Sequence, residues 1–70
     1  MTLDQFDAIA QLIKCRDNAV KMGARAVLVY RLTHTRAAAE NRVQRPNLTR
    51  MVSRFRAAEA LIQRYFSPPV

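Results

Sequence analysis

Arginine side chains dominate one segment of this sequence. Six of them lie between residues 33 and 56, where Glu40 is the one acidic residue, so the segment has a local net charge of +5. A guanidinium group donates paired hydrogen bonds to phosphate oxygens or to guanine O6 and N7. The whole chain carries +7, with twelve Lys and Arg against five Asp and Glu. This balance favours a polyanionic partner, with affinity that falls as salt rises.

Polar residues between these arginines have side chains that contact base edges or phosphates. Five residues are predicted to contact base edges: Gln44, Arg45, Asn47, Thr49 and Arg50. Five more are predicted to contact phosphates: Thr33, Arg36, Arg42, Ser53 and Arg54. For any one of them, the alternative is a solvated position on a helix surface. His34 is expected at the surface or near a phosphate, and not as a catalyst.

The spacing of apolar residues predicts two helices and a turn that position these side chains. Thr33 can cap a short helix, Asn41–Val43 forms the turn, and a long helix covers about residues 45–66. Pro46 fits the first turn of that helix, where its missing N–H would be unpaired. Small or apolar residues fall where the two helices cross, inside the turn and on the inner face of the second helix: Ala37, Ala38, Val43, Leu48 and Met51. The pattern predicts a helix-turn-helix over about residues 33–56.

Two further helices are expected before this segment. A Thr2–Gln5 capping box precedes apolar residues at helical spacing and predicts a helix over about residues 3–15. Asp17 and Asn18 can cap another over about residues 19–31, in which Gly23 would allow close helix packing. The predicted fold class is all-α: one domain over residues 1–70, with four helices and a long C-terminal recognition helix.

A chain of 70 residues buries little apolar surface, so an oligomer would stabilise it. One cysteine and one histidine offer neither an internal disulfide nor a zinc site. Residues 57–66 extend beyond the predicted motif, and they could fold back onto the first helix or pair with a second copy. We favour pairing, as a homodimer through Ala58, Leu61, Ile62, Tyr65 and Phe66.

The chain resembles the small plasmid-encoded transcriptional repressors of the KorA/TrfB type. The resemblance rests on the opening MTLDQFDAIAQLI, on ARAVLVYRLTHTRAAAENR, and on LTRMVSRFRAA after the turn. It implies a dimeric repressor that binds a palindromic operator and controls plasmid maintenance or transfer genes. Within that resemblance, the base contacts fall on Gln44, Arg45, Thr49 and Arg50. The chain departs from the pattern at Arg42, where glycine is commoner, and in the small size of its dimerisation segment.

Other function classes find little support in the sequence. Catalytic constellations and a glycine-rich phosphate loop are missing, so we expect no enzyme, no cofactor and no small-molecule ligand. Without a targeting or membrane-spanning segment, and with a single cysteine, we expect a cytoplasmic protein. The main alternative is a small basic helical protein that binds and inhibits an acidic partner protein. A basic amphipathic helix on anionic membranes ranks last, because the apolar face is needed for the core.

Overall fold

Four α-helices make up the part of the chain that the computed structural model describes, residues 1–66 of 70. The helices are α1 (Leu3–Leu12), α2 (Ala19–Leu28), α3 (His34–Asn41) and α4 (Arg45–Phe66). No β-strand occurs within residues 1–66. The predicted all-α class with four helices is therefore confirmed over this range. In the same range, no helix combines the length and the apolar content that crossing a bilayer requires.

Side-chain caps fix where the first three helices begin. Thr2 Oγ1 accepts a hydrogen bond from the Gln5 backbone N–H at 3.1 Å, and the Thr2 N–H donates to Gln5 Oε1 at 2.9 Å. This is the capping box predicted for α1. Asn18 caps α2 and Thr33 caps α3, each by accepting from the N–H three residues on. The predicted starts of these helices are confirmed.

The ends of α1 and α2 differ from the prediction. The sequence predicts helices to about residues 15 and 31, whereas they end at Leu12 and Leu28. Lys14 and Arg31 follow with φ of 54° and 60°, a left-handed conformation that costs a non-glycine residue about 1–2 kcal/mol. Each is followed by a residue packed against the core, Cys15 or Leu32. Burial of these two side chains offsets the backbone cost and ends each helix early.

All four helices contribute to one apolar core. The rings of Phe6 in α1 and Phe55 in α4 stack with centroids 4.3 Å apart, and both side chains are fully buried. A Cβ at Gly23 would lie only 2.9 Å from Leu48 Cδ1, so glycine does allow α2 to pack closely on α4. The buried residues are Phe6, Ile9, Ala10, Ala24, Val27, Leu28, Ala37, Ala38, Leu48, Val52, Phe55 and Ala58.

The length of α4 sets the shape of the molecule. Its 22 residues span about 33 Å at 1.5 Å per residue, and the longest dimension of the molecule is 41 Å. The inner face of α4 stays against the core as far as Ile62, which is half-buried. A shallow groove between α1 and α4 is lined by Gln5, Ala8, Ile9, Glu59, Ile62 and Gln63. One side of the end of α4 therefore packs back toward α1, as the alternative to pairing with a second copy predicts.

Candidate nucleic-acid interface

The turn between α3 and α4 is closed by backbone hydrogen bonds around a left-handed arginine. Arg42 has φ 54° and ψ 43°, and its N–H donates to the carbonyl oxygens of Ala38 and Ala39. The Val43 N–H donates to the Ala38 oxygen at 3.0 Å, which completes a Schellman pattern with Val43 half-buried. Asn41 remains helical and donates its side-chain amide to the Ala37 oxygen at 2.9 Å. Arg42 takes the strained conformation in this turn.

The first half of α4 has one buried side and one exposed polar side. Positions around the axis of α4 are given as angles, with Arg45 at 0° and a rotation of about 100° for each following residue. On this count the exposed residues Thr49, Ser53 and Arg50 lie at about 40°, 80° and 140°. The buried residues Phe55, Leu48 and Val52 lie at about 280°, 300° and 340°. We call the exposed side, formed by Arg45, Thr49, Arg50, Ser53 and Arg54, the cationic face.

All ten residues predicted to contact nucleic acid are exposed. The five of the cationic face share one side of α4. Asn47 lies at about 200°, on the edge of that face. Gln44 precedes α4, while Thr33, Arg36 and Arg42 belong to α3 and its two ends. The Thr33 hydroxyl accepts the capping bond from Arg36 N–H, and its own proton remains available to an acceptor.

Few of these cations are neutralised by neighbouring acids. Within residues 1–66, the ion pairs are Lys21–Asp17 at 3.0 Å and Arg36–Glu40 at 3.6 Å. The second joins residues four apart on α3, is exposed, and contributes at most about 1 kcal/mol. Arg45, Arg50 and Arg54 have no carboxylate within 4 Å among these residues. Their donors are free for an anionic partner.

The sequence pattern indicated no site role for Arg56, and for His34 it predicted a surface position or a place near a phosphate. Arg56 is exposed and lies at about 20° on α4, in line with Arg45 and Thr49. The same helical count along the sequence could have identified it. His34 Nδ1 lies 3.3 Å from Thr49 Oγ1, a contact across 15 residues that joins α3 to the cationic face. The sequence carries no signal for that distance, because it depends on how the two helices cross.

The predicted dimerisation residues separate into two groups. Ala58 is buried in its own chain's core, because it follows Phe55 by three residues on the same face. Ala58 therefore has almost no surface left for a dimer contact. Ile62 is half-buried against the same core, so only part of its side chain is available. Leu61 and Tyr65 are 55% and 65% exposed, and the Arg64 guanidinium lies 5.3 Å from the centre of the Tyr65 ring. The side chain of Phe66 lies outside the described residues.

The described residues contain no arrangement typical of metal binding. Within residues 1–66, no three His, Cys, Asp or Glu side chains lie close enough together to hold a metal ion. Over the same residues, every charged side chain is at least partly exposed. Exposed cations on a rigid helix are suited to binding an anionic surface by hydrogen bonds and charge.

The chain matches no protein-family model, and no curated protein or solved structure matches it.

Proposed function

We propose that this protein is a dimeric transcriptional repressor that binds a palindromic operator in double-stranded DNA. In this proposal α3 and α4 act as a helix-turn-helix, and the first half of α4 enters the major groove. The regulated genes would be plasmid genes for maintenance or conjugation, as the resemblance to KorA/TrfB-type repressors implies. DNA and a second copy of the chain are the partners of the proposed protein.

The observation that carries the proposal is the cationic face. A helix about 10–12 Å across fits a major groove about 12 Å wide. Arg45 and Arg50 project from the exposed side of such a helix, without acidic partners among residues 1–66. Each can donate a bidentate pair of hydrogen bonds to guanine O6 and N7, and Gln44 can pair with adenine in the same way.

Phosphate contacts are assigned to the residues around that face. Arg54 lies on its edge, and Arg36 and Arg42 project from α3 and from the turn. These contacts would orient the helix in the groove without selecting a sequence. The partial positive charge at the start of α4 adds attraction for phosphate next to Arg45.

A dimer is proposed because helix-turn-helix proteins contact two half-sites about one helical turn apart. Leu61 and Tyr65 are the exposed apolar residues of the α4 end that could form the contact. Leu61 lies about 16 Å along the helix from Arg50 and about 10 Å from Arg54, at 1.5 Å per residue, so the dimer contact lies beyond the residues assigned to base contacts.

Selection of bound sequences from random duplex DNA tests the proposal, together with a sizing measurement on the free protein. We expect enrichment of a palindromic sequence and a mass of two chains. As a control, Arg16→Ala removes one exposed charge between α1 and α2 and should leave the selected sequence unchanged. If no sequence is enriched, DNA regulation is contradicted, and an acidic partner protein becomes the better explanation for the basic surface.

A further inference from the structure

The contact between His34 and Thr49 constrains a side chain of the cationic face. His34 is the first residue of α3 and is half-buried, whereas Thr49 is exposed on α4. The distance from His34 Nδ1 to Thr49 Oγ1 is 3.3 Å. A neutral imidazole can accept the hydroxyl proton or donate its own, depending on the tautomer, and the protonated ring donates. The hydrogen bond is therefore compatible with every protonation state of His34.

The hydrogen bond restricts the rotamer of Thr49. A helical threonine divides between two χ1 rotamers, because its hydroxyl can also bond to a carbonyl oxygen three or four residues earlier. A partner on the neighbouring helix favours the rotamer that directs Oγ1 toward it. Since the hydroxyl and the methyl diverge from the same carbon, the methyl is the group of Thr49 left for another molecule.

From this geometry we infer that His34 positions Thr49 so that its methyl group contacts the C5-methyl of a thymine. This inference rests on the proposed function and gives it one base preference per half-site. Of the four bases, thymine alone presents a methyl group in the major groove, and the threonine methyl is a suitable apolar partner. His34 acts through Thr49 and is a positioning residue in this scheme.

Replacing thymine by uracil in the selected operator tests the inference, because uracil differs only by the missing methyl. At one thymine in each half-site we expect the affinity of the unmodified protein to fall about four-fold, the effect of burying one methyl group. Replacement of other thymines should change the affinity much less. The ratio of the affinities for thymine and uracil at that position is the quantity to compare among variants.

Three variants separate the methyl contact from the positioning role. Thr49→Ser keeps the hydroxyl and lacks the methyl, so it should bring the ratio to about one. His34→Ala should lower the ratio toward one, while His34→Asn should restore it, because its amide can occupy the place of Nδ1. Thermal unfolding of each variant checks that folding is retained, and the ratio compares two DNAs on one protein, so a uniform loss of affinity cancels.

The outcomes distinguish this inference from the proposed function. A selected operator whose thymines all tolerate uracil, or that lacks thymine, overturns the inference and leaves sequence-specific binding intact. An unchanged ratio in His34→Ala overturns the positioning role alone. If selection yields no operator, the proposed function and the inference fail together.

Discussion

The two halves of α4 share an inner face but differ on the outside. From Leu48 to Ile62 the inner side packs against the core, including the Phe6–Phe55 stack. The outer side carries four exposed arginines up to Arg56, and beyond it exposes Leu61 and Tyr65 beside a single arginine, Arg64. One rigid helix thus presents a strongly cationic surface near its start and a more apolar surface near its end.

The difference between the two halves explains how a chain of 70 residues could carry two interfaces. The core needs one side of the helix only, so the other side is free to vary along its length. Charged side chains can bind a polyanion while they remain exposed to water, whereas exposed apolar side chains contribute binding free energy when a partner buries them. We therefore propose DNA as the partner of the first half of α4 and a second copy of the chain as the partner of its end.

The largest effect is expected from a substitution on the inner face of α4, which both halves of the helix share, and it concerns the stability of the fold. Phe55→Ala should lower the free energy of unfolding by about 3–5 kcal/mol, because it removes a fully buried ring stacked on Phe6. Denaturant unfolding measures the change. Ala57→Ser, at an exposed position of the same helix, is the control and should change stability by less than about 0.5 kcal/mol. Equal effects would contradict a core shared by both halves.

A second variant addresses the apolar end of α4. Leu61→Asp should raise the Kd of the dimer at least about ten-fold, because it places a charge in a covered apolar contact. Analytical ultracentrifugation over a range of concentrations measures this Kd. Ala60→Asp introduces the same charge at the exposed neighbouring position and is the control. If the two variants have the same dimer Kd, or if the unmodified protein is a monomer, this end of α4 is not the dimer surface.

A third comparison lies within the cationic face. Arg50→Ala should weaken binding to the selected operator by about 1–3 kcal/mol and bind unrelated DNA almost as before, because a base contact carries the sequence preference. Arg54→Ala should weaken binding to both DNAs alike, because a phosphate contact carries none. Titrations with both DNAs at one salt concentration measure these changes. The same pattern for the two variants would refute their assigned roles.

The smallest effect is expected from a substitution in the turn, which should raise the stability of the protein and lower its affinity for DNA. Arg42→Gly should stabilise the protein by about 0.5–1 kcal/mol, since glycine adopts the left-handed conformation freely. It should also weaken DNA binding and reduce the salt slope by about one per protomer, through loss of one phosphate contact. Thermal unfolding and salt titration measure the two quantities. A stabilised variant with undiminished binding would exclude Arg42 from the interface.

The sequence predicted α4 and its exposed side well, because both depend on local spacing. Pro46 and the period of apolar residues locate Arg45–Phe66, and counting 100° per residue separates Arg50 from Leu48. The caps at Thr2 and Thr33 are local for the same reason. Elements that depend on neighbouring residues alone can be derived from the sequence.

Features set by contacts between helices were missed. The early ends of α1 and α2 depend on how Cys15 and Leu32 pack. The left-handed positions that follow these helices are Lys14 and Arg31, and a sequence without glycine there does not indicate such a conformation. Ala58 follows Phe55 at helical spacing, but how far the core extends along α4 depends on how the helices pack. Such distances follow from the tertiary arrangement, which the pattern of one helix does not contain.

Salt titration with the selected operator and with a shuffled duplex of equal length is the decisive test of sequence-specific binding by the cationic face. Three phosphate-contacting arginines per protomer, or six per dimer, predict that log K falls with log salt with a slope of about −5. At physiological salt, the operator should bind at least about 10³-fold more tightly than the shuffled duplex. Equal affinity for the two duplexes, or affinity that does not change with salt, would contradict sequence-specific recognition by the cationic face.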